Sequence, residues 1–152
     1  DGVAVLKVGP ALTFAMREAL FALEHIEQEL PHPVSASSRL ADILEKAMLA
    51  DPAQWQDYYR GDEHQKRFAR KYSLLDRARY YWTVPEVQEA AARLLSNLRA
   101  PIPWPLLSQH LPLQCRAIRA AKLPNEPEAM VREAVREVLR AYAAAVRRGL
   151  RP

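Results

Sequence analysis

Lys7-Val8-Gly9-Pro10-Ala11-Leu12-Thr13-Phe14 is the first stretch of this sequence whose residue types and spacing suggest chemistry. If an extended segment ends at Val8 and a helix begins at Ala11, the turn presents free backbone N–H groups and the positive end of a helix dipole. That arrangement commonly holds a phosphate. Pro10 has no N–H to give, so donation falls to Gly9, Ala11 and the turn through Thr13. Lys7 would add positive charge, or serve as a Schiff-base amine in another chemistry. The plainer alternative is an ordinary turn whose lysine points at solvent or at a neighbouring acid.

Two further segments carry functional residue types. In Arg77-Ala78-Arg79-Tyr80-Tyr81-Trp82, consecutive rings on a helix point in three directions and cannot share one apolar stripe. At least one of Tyr80, Tyr81 and Trp82 is therefore left for a pocket, an interface or a partner. Arg79 beside these rings suits a phosphate or a stacked base, while packing of a helix end against a larger body explains the same residues. In the proline-bounded run from Pro101 to Gln114, Ser108, Gln109, His110 and Gln114 cluster neutral donors and acceptors. They fit sugar hydroxyls or, equally, the capping of local turns.

Other chemistries lack their signatures. The four glycines stand singly at Gly2, Gly9, Gly61 and Gly149, so no glycine-rich nucleotide loop is encoded. His25, His32, His64 and His110 have neither ligand spacing nor cysteine partners, and no metal site or cofactor is expected in this chain. No nucleophile comes with a recognisable base, so no catalytic residue is assigned. The single Cys115 excludes an internal disulfide framework and fits a reducing cytosol. No apolar run approaches membrane-spanning length, and no export leader is visible. The 22 Lys+Arg against 18 Asp+Glu give a charge of +4, but bases alternate with acids as on solvated helix faces, which makes nucleic acid a minor expectation.

The elements that must position these residues are mostly helical. Twelve prolines against four glycines favour proline-punctuated helices over glycine-turned hairpins. Val3 to Val8 is the one convincing strand, apolar on both sides apart from Lys7, as in a sheet covered on both faces. A lone strand cannot satisfy its own backbone, so it is expected to pair with strands this chain does not contain. The opening residue Asp1, rather than Met, likewise suggests a fragment. A helix is expected from Ala11 to Leu30, then a loop to Ser38, which would cap a helix to Ala50. Asp51-Pro52 would start a short helix through Tyr59, and Asp62 one to Tyr72. Ser73 with Asp76 resembles a capping box, and Pro85 begins a helix to Leu98. Pro101 to Pro105 is expected to be an extended connector, with short helices to Lys122 interrupted at Pro112. Asn125 and Pro127 would start the last helix, with Val131, Val135, Val138, Tyr142 and Ala145 in one stripe and Gly149 closing it.

These motifs resemble, in order and across nearly the whole chain, the Z-type non-catalytic subunit of class II D-tagatose-1,6-bisphosphate aldolase, a family also named as a tagatose-6-phosphate kinase. The resemblance rests on Leu6 to Glu18, Trp55-Gln56, Tyr72-Ser73, Asp76-Arg77, Arg79 to Trp82 and Ser108-Gln109. The sequence departs at Met16, where the pattern has Leu, at Thr83, where it has Pro, and at His110 and Cys115, where it has Tyr. The resemblance implies the C-terminal third of a (β/α)8 TIM barrel of the class II aldolase type. Residues 1–30 would be its last βα unit and 31–152 a helical extension packed on the barrel. It implies a cytoplasmic accessory role in carbohydrate catabolism: support for the activity and stability of a separate catalytic subunit carrying zinc, with a sugar phosphate as the small molecule at hand. The candidate contacts for that phosphate are Lys7, Gly9, Ala11, Thr13, Arg79, Ser108, Gln109 and His110. The alternative is an autonomous hexulose-6-phosphate 4-epimerase whose divalent metal would be bound upstream. A basic helical nucleic-acid module comes third, and self-association is left open.

Overall fold

Helix α1 (Ala11–Glu29) is the axis on which the other elements assemble in this computed structural model, which describes residues 9–31, 37–99 and 101–149. The expected strand Val3 to Val8, Lys7 with it, lies outside the described residues. Six more helices follow: α2 (Leu40–Ala50), α3 (Glu63–Tyr72), α4 (Pro85–Asn97), α5 (Trp104–His110), α6 (Pro112–Arg119) and α7 (Pro127–Gly149). Short 3-10 turns at Pro52–Gln54 and Arg77–Tyr80 complete the set, and the described residues contain no strand. None of the described helices is long and apolar enough to cross a membrane.

The core follows from helical periodicity. On α1, Leu20, Leu23 and Ile26 are buried; on α2, Leu40, Leu44 and Met48; on α4, Val87, Ala90 and Leu94, with Leu98 just beyond. Each set recurs every three to four residues, which places it on one face. Full burial contributes roughly 2 kcal/mol for a side chain such as Leu23 or Ile26. α7 runs against α1 over much of its length, and α2, α4 and α5 surround the remaining sides. The α7 stripe is half-buried through Val138 and Tyr142, whereas Ala145 lies open to solvent.

Local chemistry explains where helices begin and stop. Asp62 accepts the Gln65 N–H at 2.8 Å while the Gln65 side chain accepts the Asp62 N–H at 2.9 Å, a reciprocal cap that opens α3. Gly61 makes this possible: its φ is +102°, and a Cβ there would stand 2.0 Å from Gln65 Oε1. The C-terminal end of α2 is closed by aromatic donors. Trp55 Nε1 donates to the Met48 carbonyl at 2.6 Å, and the Tyr81 hydroxyl donates to that of Asp51.

Five local expectations are corrected. Ser38 does not cap α2; Arg39, in the left-handed region at φ 48°, takes the cap position, and Ser38 turns to the buried Glu27 carboxylate instead. The segment after Asp51 makes only the 3-10 turn, because the chain leaves helical geometry where Trp55 docks on α2. Ser73 and Asp76 form no capping box: Asp76 is left-handed at φ 44° and fully buried against α1. The run from Pro101 to Pro105 is not wholly extended, since α5 starts at Trp104. A proline in the first helical turn loses no hydrogen bond, as the N–H groups there have no intrahelical acceptor. Asn125 does not serve α7 directly; its amide pairs with both backbone groups of Ile102, at 3.1 and 3.0 Å.

Candidate functional site

The start of α1 meets the turn at 73–80. Thr13 donates its hydroxyl to Asp76 Oδ2 at 2.6 Å, with the Pro10 carbonyl also within reach at 3.0 Å. One turn along, Arg17 Nη1 lies 3.0 Å from Asp76 Oδ1 and Nη2 donates to the Ser73 carbonyl at 3.2 Å. Both charged side chains are almost wholly removed from water. Burial lowers the Arg17 pKa from its ordinary value, and the facing Asp76 only partly restores it. Gly9 is exposed, and Ala11 is half-buried in the first turn. Of the expected phosphate contacts, the described part of the structure thus gathers Gly9, Ala11 and Thr13 at the start of α1, with Arg79 on the adjoining turn.

Arg79 belongs to a stack of cations and rings. Its Nη1 donates to the carbonyls of Leu75 at 2.7 Å and Asp76 at 3.1 Å, and its Nη2 to the Tyr80 hydroxyl at 2.6 Å. The Arg79 guanidinium carbon sits 4.3 Å from the centre of the Tyr80 ring. That of Arg77 sits 4.9 Å from the same ring and 3.7 Å from Tyr58. The three consecutive aromatics diverge, but not on the expected helix, since only Tyr80 lies in the 3-10 turn and the chain has left helical geometry by Tyr81. Tyr80 is exposed, Tyr81 is buried, and Trp82 is half-buried with its Nε1 enclosed and without a hydrogen-bond acceptor. Burial pushes the Tyr81 phenol up, with the nearby Asp51 adding to the shift.

Ser108, Gln109 and His110 stand apart from this group. They lie on α5, where Ser108 donates to the Pro105 carbonyl at 2.9 Å and Gln109 faces solvent. His110 stacks on His25 with ring centres 5.8 Å apart, some three turns and about 18 Å along α1 from Thr13. A cleft of about 770 Å³ opens between α2 and α4, with Tyr80 of the stack in its lining. Ile43, Ala47, Tyr81, Val84 and Ala90 line it together with Lys46, Arg93, Glu86 and Glu89. Among the described residues no three His, Cys, Asp or Glu side chains converge as metal ligands, so this part of the chain offers no donor set for zinc.

Residues 1–147 match the family described as D-tagatose-1,6-bisphosphate aldolase subunit GatZ/KbaZ-like. The chain belongs to this family. A solved structure agrees: the fold superposes with a TM-score of 0.84, at 37% identity, on the crystal structure of a "probable tagatose 6 phosphate kinase" from Sinorhizobium meliloti 1021. That match covers 93% of this chain and 37% of the other, so the chain spans little more than a third of the solved protein's length.

Several residues that organise this GatZ/KbaZ-like segment escape motif reading. Arg17, Glu24 and Glu27 lie on one line along α1 with the motif residue Thr13 and the core residue Leu20, at steps of four, three, four and three from Thr13. Glu24 accepts the Ala41 N–H at 3.2 Å; Glu27 accepts the Ser38 N–H at 3.0 Å, the Ser38 hydroxyl, and Asn97 Nδ2 at 2.6 Å. A polar line at helical spacing beside an apolar stripe was the available signal. Tyr58 gave no comparable one, since its stacking on Arg77 joins residues far apart in sequence.

Proposed function

We propose that this chain is the helical C-terminal part of a non-catalytic subunit of D-tagatose-1,6-bisphosphate aldolase. In this reading the subunit sustains the activity and stability of a separate class II catalytic subunit that carries the zinc. The observation that carries it is the match of residues 1–147 to the aldolase-subunit family. Val3 to Val8 would supply the closing strand of a (β/α)8 barrel, and α1 its last helix. Lys7 and the exposed Gly9 turn would then stand at the barrel mouth, where βα turns present N–H groups to phosphates. The polar line along α1 supports a scaffolding role, because Thr13, Arg17, Glu24 and Glu27 are engaged in holding other elements in place.

The test uses the full-length protein containing this chain. Mixed with a class II tagatose-bisphosphate aldolase, it is expected to copurify and to raise that enzyme's activity or lengthen its half-life. No effect on either quantity would overturn the proposal. So would ATP turnover with tagatose 6-phosphate by the subunit alone, which would favour the kinase for which the Sinorhizobium protein is named.

A further inference from the structure

We propose that the turn at 73–81 is a two-state switch linking the first turn of α1 to the C-terminal end of α2, with the Thr13 hydroxyl as its catch. The catch is one hydrogen bond. Thr13 donates to Asp76 Oδ2 at 2.6 Å, and among the described residues no other donor makes a hydrogen bond to that carboxylate. Arg17 Nη1 lies 3.0 Å from Asp76 Oδ1, but neither atom has a hydrogen-bond partner, so this contact supplies charge without a directed bond. A buried carboxylate held in this way depends on its single donor for orientation.

The turn has a second arrangement within reach. Asp76 stands immediately before the 3-10 turn at Arg77–Tyr80, yet its side chain caps nothing there, and its backbone is left-handed at φ 44° and ψ 51°. An aspartate opening a helical turn ordinarily has extended backbone and accepts an N–H two or three residues on, which here are those of Ala78 and Arg79. The observed state forgoes that cap and that backbone in favour of Thr13 and Arg17. Once Thr13 lets go, Asp76 has a local alternative, and taking it rotates the chain that follows.

That following chain supports the end of α2. The Tyr81 hydroxyl donates to the Asp51 carbonyl just past α2, Arg77 Nε to that of Gln54, and the Arg77 N–H to the Tyr59 hydroxyl at 3.2 Å. Asp51, Gln54, Tyr80 and Tyr81 all line the α2/α4 cleft, so the shape of that wall answers to α1 through the turn. None of these contacts depends on what covers the cleft in the longer protein. The input alone rests on the reading of the Gly9 turn as a phosphate contact: Thr13 has one proton to give, and a phosphate oxygen at the first turn of α1 would compete with Asp76 for it.

The experiment is hydrogen exchange, followed by mass spectrometry, on the full-length protein as wild type, T13V and T13S. T13V is expected to speed exchange about fivefold, the worth of one hydrogen bond, in peptides spanning 51–59 and 77–84. T13S should stay near wild type, and residues 104–119 should be unchanged in both. Loosening that stops at residue 76, or that spreads equally to 104–119, would overturn the switch. T13A takes the place of T13V if circular dichroism shows the latter unfolded. Inorganic phosphate and tagatose 6-phosphate are then added to wild type and to T13V, and faster exchange in the same two segments is expected in wild type only. If T13V loosens both segments and neither phosphate does, the phosphate reading of the Gly9 turn fails and the switch stands. Phosphate that slows exchange at 9–17 while T13V leaves 51–59 unchanged would do the reverse.

Discussion

At its start α1 buries opposite charges against each other, Arg17 with Asp76; toward its end it buries two like charges, Glu24 and Glu27, with no lysine or arginine within ion-pair distance among the described residues. The first end ties down a left-handed turn. The second supplies from another helix the cap that α2 lacks, since Arg39 makes no side-chain cap and Glu24 and Glu27 accept the N–H groups of Ala41 and Ser38 instead. Burial is the leading influence on ionisation at both ends: it lowers the Arg17 pKa and raises that of Glu24. The lesson is that helix position alone does not decide how a buried charge is accommodated. A cation here needed an anion, whereas the carboxylates could use backbone donors.

The largest effect is expected from breaking the ion pair. D76N keeps a side chain suited to left-handed backbone but strands the Arg17 charge, and should cost about 3–5 kcal/mol in urea unfolding. Adding R17M to D76N should cost less than the two single changes together; strict additivity would mean that the pair is not coupled. At the other end E27Q turns amide hydrogens toward at least one of three donors, and a loss of about 2 kcal/mol is expected in the same assay. A negligible change would show that those donors are satisfied elsewhere.

The smallest effect sharpens the comparison by its pH dependence. Folded Glu24 holds its proton to higher pH than the unfolded chain does, so the folded state binds more protons in that interval. Its contribution is fully present below the ordinary glutamate value of 4.5 and is lost as pH rises through the raised folded value. E24Q can keep the acceptor for the Ala41 N–H and removes the titration. Its stability should therefore gain on wild type between acid and neutral pH, by about 1 kcal/mol or less. Parallel stability curves for the two proteins would remove Glu24 as the source.

The local part of this architecture was legible and the long-range part was not. Asp62, Pro85 and Pro127 marked helix starts because a cap or a missing N–H acts within one turn, and Pro112, expected only as an interruption, also begins a helix. The divergence of Tyr80, Tyr81 and Trp82 was expected from a helix that in fact stops at Tyr80, so a turn rather than helical spacing sets Tyr81 and Trp82 apart. Asp76 could not be read correctly, because its conformation serves Thr13 and Arg17, some sixty residues away in sequence. For the same reason Ser38 passed for a cap when its partner was Glu27. The candidate phosphate contacts could be named as residue types, but only the packing of α5 near His25 separates Ser108, Gln109 and His110 from the start of α1.

Asp76 answers two demands at once, a backbone that favours glycine or asparagine and a negative charge that glutamate could also supply. Glycine would drop the charge, and glutamate would resist the backbone. Of the twenty amino acids one meets both without compromise, so position 76 should tolerate very little drift for as long as position 17 stays cationic, and the two sites should change together if they change at all.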